Sequence, residues 1–68
     1  MENKQRVCDL LCHALQATDN TYDCEALNYN AEKETVTVVF EGGGKRIINV
    51  AMDSGTAMIR DIMRGLGV

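Results

Sequence analysis

The residues best able to do chemistry in this 68-residue chain are its three cysteines and its one histidine. Cys8, Cys12, His13 and Cys24 are the atoms a zinc ion would need. Cys8 and Cys12 are four positions apart, so on a helix they share a face and could reach one ion. His13 is turned by about 100° from Cys12 and points elsewhere. Structural zinc sites pair cysteines about two to four residues apart and supply a second matched pair further on. That second pair is missing, so no metal and no cofactor are expected, and Cys8 and Cys12 read as small apolar core residues. A nucleophilic thiol needs a base or cation that lowers its pKa. The chain has no Cys-x-x-Cys, and no base is placed by sequence beside any cysteine. His13 reads as a surface or boundary residue. Glu25, Glu32, Glu34 and Glu41 fall on an edge strand and turns as solvating charges, and do not form a general acid/base pair.

Two other motifs invite an anion. Gly42-Gly43-Gly44-Lys45 has the look of a phosphate loop, but the Walker pattern requires Ser or Thr after the lysine and then a helix. Here an apolar strand follows, which makes the glycines a hairpin loop whose positive φ values only glycine takes at little cost. Asp53-Ser54-Gly55-Thr56 opens a helix and has free N–H groups to offer. The charge of Asp53 opposes an anion, and Asp and Ser are preferred helix caps, so capping is the expected role.

The elements that carry these residues are legible in the hydrophobic pattern. From about Glu2 to Ala17, Val7, Leu11 and Leu15 recur every four residues, with Cys8 and Cys12 widening the stripe and Leu10 and Ala14 flanking it. Thr18, Asp19, Asn20 and Thr21 end that helix, with Asp19-Asn20 suited to a left-handed residue. A first strand is expected from about Tyr22 to Tyr29, with Leu27 and Tyr29 on one face. Asn30-Ala31-Glu32-Lys33 then forms a polar turn. Thr35 to Glu41 is the clearest strand, being rich in β-branched and aromatic residues. A loop of Gly42, Gly43 and Gly44 would oppose Glu41 to Lys45, Val39 to Ile47, Val38 to Ile48 and Val36 to Val50. That register buries Val36, Val38, Ile48 and Val50 together. A last helix begins near Asp53 or Ser54. Met58, Ile59, Ile62, Met63 and Leu66 form its apolar stripe, Arg64 suits its C-terminal dipole, and Gly65 and Gly67 stop it. The fold class predicted is α+β in the order αβββα: a three-stranded antiparallel meander, its middle strand Thr35–Glu41, with two helices on one face.

Composition bounds the rest. At this length one domain is expected, with stability on the order of a few kcal/mol. Apolar residues make up 46% of the chain, enough for a core, and with a single Phe and no Trp that core must be aliphatic, cysteine and methionine. Four methionines suit an adaptable core or a contact surface. The net charge of -3 lacks the broad basic field of a non-specific nucleic-acid binder. No apolar run approaches the roughly 18 residues of a membrane span, and the N-terminus does not lead into a signal-peptide core. An odd number of cysteines without a secretion signal fits reduced thiols, and a cytoplasmic setting is expected.

Two surfaces could meet a partner. Helices on one face leave the other sheet face open, with Val39 and Ile47 opposite each other beside Thr35, Thr37, Asn49 and Ala51. Scattered exposed apolar residues are otherwise ordinary. Lys45, Arg46, Arg60 and Arg64, four of the seven basic residues, could form a modest phosphate-binding patch. No interleaved aromatics accompany them for base stacking.

The stretch from Val36 to Gly65 resembles small uncharacterised bacterial proteins often found on conjugative or other mobile elements of Gram-positive gut bacteria. The residues that carry the resemblance are Gly42-Gly43-Gly44, Asn49-Val50-Ala51 and Asp53-Ser54-Gly55-Thr56-Ala57-Met58-Ile59-Arg60-Asp61-Ile62. It covers about half the chain and brings no catalytic residues with it. It implies a bacterial cytoplasmic setting and an accessory role. The function expected is a non-enzymatic protein-interaction module, acting through the open sheet face or the methionine-rich last helix, that meets an unidentified protein or its own copy. A nucleic-acid-associated factor is the alternative.

Overall fold

The computed structural model describes residues 3–18 and 23–67. The first helix, α1 (Lys4–Gln16), begins where Asn3 adopts an extended conformation and its side chain accepts a hydrogen bond from Arg6 N. That bond satisfies one of the N–H groups a helix start leaves free. Cys8, Cys12 and Leu15 are buried, Val7 and Leu11 pack against them partly covered, and Leu10 faces outward. The expected left-handed residue at Asp19-Asn20 and the strand start at Tyr22 lie outside the described residues.

Three strands follow, β1 (Cys24–Asn30), β2 (Thr35–Phe40) and β3 (Lys45–Asn49), paired antiparallel in the order β1-β2-β3. The β1–β2 turn is set by Asn30, whose Oδ1 accepts from Glu32 N and Lys33 N. Leu27 pairs with Val38 and Tyr29 with Val36, which places both on the core face as expected. A bulge between Cys24 and Ala26 lets Cys24 turn inward opposite Phe40.

The β2–β3 hairpin differs from its predicted register by two residues. Val36 faces Ile48, Thr37 faces Ile47, Val38 faces Arg46 and Val39 faces Lys45. Phe40 N donates to Gly44 O at 2.8 Å, so the loop is Glu41-Gly42-Gly43. Positive φ falls on Gly42 (92°) and Gly43 (95°). Gly44 does not take a positive φ and is free to start the return strand. Glu41 is therefore a loop residue and does not face Lys45. The slip is an even number, so every side chain keeps its predicted face. Val36, Val38 and Val50 are fully buried, and Ile48 is partly covered beneath the last helix.

That helix, α2 (Gly55–Leu66), is capped by Ser54, whose Oγ accepts from Ala57 N at 3.1 Å. Met58 and Ile62 enter the core, Met63 and Leu66 pack at its edge, and Ile59 is largely outside it. Gly67, at φ 78°, ends the helix in the left-handed conformation. Gly65 has a different role from the stop expected of it. It lies inside the last turn, directly over β3, and a Cβ there would sit 2.5 Å from Ile48 Cδ1 and 2.9 Å from Ile48 Cγ1. Helix and strand approach this closely because position 65 has no side chain.

Gly65→Ala should therefore destabilise the domain, because overpacking of about 1–3 kcal/mol outweighs the helix-propensity gain of about 1 kcal/mol. Ile48→Ala removes both of the atoms that a Cβ at position 65 would meet. In that background the same Gly65→Ala change should become neutral or stabilising. Chemical denaturation of the four proteins of this double-mutant cycle measures the reversal.

The core contains Cys8, Cys12 and Leu15 of α1, Leu27, Val36 and Val38 of the sheet, and Met58 and Ile62 of α2. Both helices thus cover one sheet face, and the architecture is αβββα. No helix of the described residues is long and apolar enough to cross a membrane.

Candidate interaction surface

The open sheet face is built from the odd-numbered residues of β2 and β3, with Ala26, Asn28 and Asn30 of β1 beside Val39, Thr37 and Thr35. Thr37 lies opposite Ile47, Thr35 opposite Asn49, and Val39 opposite Lys45. Val39 and Ile47 are therefore diagonal neighbours and not the directly opposed pair predicted, a consequence of the two-residue register shift. Ile47 is 70% exposed, Asn49 is exposed, and Val39 and Thr37 are partly covered by neighbouring side chains. Asn49 also orders the chain beyond it, since its Oδ1 accepts from Ala51 N at 2.8 Å.

The two edges of the sheet are treated differently. At β1, helix α1 supplies a row of side chains that bond the outward backbone groups. Gln5 Oε1 accepts from Tyr29 N at 2.8 Å while Gln5 Nε2 donates to Leu27 O at 3.1 Å. Gln16 Nε2 donates to Cys24 O and Glu25 O, and Cys12 Sγ donates to Glu25 O at 3.5 Å. The amide of Gln5 bonds β1 much as a neighbouring strand would. At β3, the hydrogen bonds from Phe40 N to Gly44 O and from Val50 N to Glu34 O fix which groups face β2. By the alternation of antiparallel pairs, Arg46 and Ile48 point their backbone groups at β2, and Lys45, Ile47 and Asn49 point theirs away. Among the described residues, nothing bonds those outward groups. The glutamines that seal β1 did not stand out in the sequence, because each is one polar residue on a mostly polar helix flank.

The four basic residues do not form one surface. Lys45 projects from the open face opposite Val39, and Arg46 from the helix-bearing face opposite Val38. The Arg46 guanidinium donates to the Gly65 carbonyl in the last turn of α2, a favourable position for a cation. This holds Arg46 at the end of α2 that carries Arg64. Arg60 Nε lies 3.9 Å from Asp61 Oδ1, a loose and mostly exposed contact.

The thiols converge within the core. Cys8, Cys12 and Cys24 are all free and buried. Burial, with smaller contributions from neighbouring charges and thiols, pushes Cys8 and Cys24 each up to about 11. At neutral pH both are protonated, as apolar packing requires. His13 is exposed and shares with Cys12, Asp9, Gln16, Glu25 and Asn28 a groove of about 310 Å³ between α1 and β1. Among the described residues no group of three His, Cys, Asp or Glu side chains is arranged to hold a metal.

Asp53 lies against Asp61 of α2, a contact with no periodic signal in the sequence. Asp53 Oδ2 is buried with no donor against it among the described residues. The Asp53 carboxyl is raised above its ordinary value, first by a hydrogen bond with the Asp61 carboxyl, then by desolvation and the Asp61 charge. The charges of Arg60 and Lys4 oppose this. A carboxyl raised in the folded state stabilises fully below its unfolded pKa, and that contribution fades as pH rises through the folded value. Asp53→Asn should therefore raise the melting temperature at neutral pH. The gain should vanish near pH 3, below the ordinary carboxylate range of about 4. Thermal melts of both proteins across that range provide the check.

Comparison of the chain with protein-family models, curated proteins and solved structures finds no match.

Proposed function

We propose that this domain is a non-enzymatic protein-interaction module working through the open sheet face around Ile47 and the adjoining edge of β3. The observation that carries this reading is a large β-branched side chain left 70% exposed on a sheet whose other face is filled by two helices. Leu10, Met52 and Ile59 are exposed as well, but none of them lies on the sheet, whereas Ile47 sits diagonal to Val39 on its open face. The neighbours of Ile47 on that face, Val39, Thr37 and Asn49, add a weakly polar rim of the kind interfaces use. In this reading the partner is a protein, the setting is cytoplasmic, and the role is accessory, as the resemblance to mobile-element proteins implies.

Replacing Val39 and Ile47 with glutamate tests it. Affinity capture by the tagged protein should be lost while circular dichroism and the melting transition remain those of a folded domain. Unchanged capture by the folded variant would overturn the reading.

The second reading, a nucleic-acid-associated factor, draws on the hydrogen bond that holds Arg46 at the end of α2 near Arg64. Arg60 would extend that strip, and Lys45, on the opposite face, would lie outside it. Binding through a few phosphates weakens steeply with salt, with a slope in log K of about -0.9 per phosphate neutralised on duplex DNA. A salt titration of binding to a DNA duplex measures that slope, and absence of binding at low salt excludes the reading.

A further inference from the structure

The contrast between the two sheet edges identifies the partner, given the interaction reading above. We propose that β3 pairs antiparallel with β3 of a second copy, about a two-fold axis at Ile47, to make a continuous six-stranded sheet. The β1 edge is closed to such pairing by Gln5, Gln16 and Cys12. The β3 edge presents the outward N–H and C=O groups of Lys45, Ile47 and Asn49, and no proline occurs in the chain to interrupt it.

Those three positions are self-complementary. With Ile47 opposite Ile47 of the second copy, Lys45 meets Asn49 and Asn49 meets Lys45. Each of these is a residue with outward-pointing backbone groups, so all three pairs are of the hydrogen-bonded type. Sliding the register by one residue would bring inward-pointing groups to the junction and lose those bonds. Charge selects the same orientation. The strand runs from basic Lys45-Arg46 to neutral Ile48-Asn49, so a two-fold arrangement sets the lysines of the two copies at opposite ends. Four residues of strand separate them, about 13 Å at roughly 3.3 Å per residue. That exceeds the Debye length of about 8 Å at physiological salt. A parallel, in-register pairing would instead stack lysine beside lysine. On the open face, the two Ile47 side chains meet at the axis, each flanked by Val39 on its diagonal, and the exposed isoleucine becomes the centre of the contact. The closed two-fold uses up the free edge of each copy, and the assembly stops at two.

Cysteine trapping reads both the association and its register. Residues opposed as a hydrogen-bonded pair have Cα atoms about 5.5 Å apart, within the roughly 4.4–6.8 Å a disulfide spans. The native cysteines are buried. In the presence of glutathione disulfide, Ile47→Cys should link to itself. Lys45→Cys and Asn49→Cys should link only when mixed. Thr37→Cys, on the same face but one strand inward, should not link. Sedimentation velocity on the unaltered chain should show a dimer that dissociates on dilution. Ile47→Pro should abolish that dimer yet fold, because the N–H it removes serves no bond within the sheet.

A chain that is monomeric at all concentrations, or trapping of Ile47→Cys no faster than of Thr37→Cys, would overturn the pairing. If that monomer still captures a different protein through Ile47, the interaction reading stands and only the second copy is wrong. A monomer that captures nothing removes both.

Discussion

Ile62→Ala is expected to leave the domain largely unfolded near physiological temperature. Ile62 is fully buried on α2 and shares the core with Met58, Val36, Val38 and residues of α1. Truncating such a side chain removes its transfer free energy and leaves a cavity, at a combined cost of about 2–5 kcal/mol. A chain of this length holds about 3–10 kcal/mol in total, so the loss takes a large share of it. Each kcal/mol lowers the melting temperature of so small a domain by about 4–8 °C. A drop of at least about 8 °C in Tm is the expected reading. Leu10→Ala, on the exposed side of α1, is the internal comparison and should change stability by no more than about 0.5 kcal/mol. Equal effects from the two substitutions would mean that α2 does not pack as described.

Gln5→Ala is expected to be nearly as damaging for a different reason. The Gln5 amide accepts from Tyr29 N and donates to Leu27 O, across a helix–strand boundary that is only partly open to water. Removing it leaves two strand groups short of a partner, costing about 1–3 kcal/mol. The loss should also appear locally. The Tyr29 amide should exchange its hydrogen faster than the β2 amides, which keep their partners on both sides. The variant also bares the second edge of the sheet. If β3 pairs with its copy, a chain with two open edges has no reason to stop at two. Gln5→Ala should then form larger assemblies that Ile47→Pro suppresses. Light scattering of the single and double variants distinguishes this from simple unfolding.

Much of the fold was legible because it rests on local signals. The Val-Thr-Val-Val-Phe run, the glycine triplet and the spacing of Met58, Ile62 and Leu66 each specify an element through short-range sterics and periodicity. The parity of the β2–β3 pairing was also legible, since alternating faces constrain it to even shifts. Its exact register was not. Three successive glycines offer two loops of equal length, and the choice depends on which of them take a positive φ. Gly65 reads as a helix stop because a glycine near a helix end looks the same in sequence whether it ends the helix or makes room for a neighbour. The neighbour, Ile48, comes from a different element.

The candidate site divides along the same line. That Ile47, Val39, Thr37 and Asn49 share an open face follows from strand alternation and the one-sided helices, and the sequence determined it alone. It likewise determined that Cys8 and Cys12 are core residues, because they lie on the apolar stripe of α1, whereas the burial of Cys24 follows from the bulge in β1. Only the tertiary structure decided that Arg46 bonds the last turn of α2, that Asp53 meets Asp61, and that, among the described residues, one sheet edge is sealed while the other is bare. Each of these depends on how elements distant in their local signals come together in space. That placement is a long-range packing outcome, in which polar residues such as Gln5 and Gln16 leave no periodic trace.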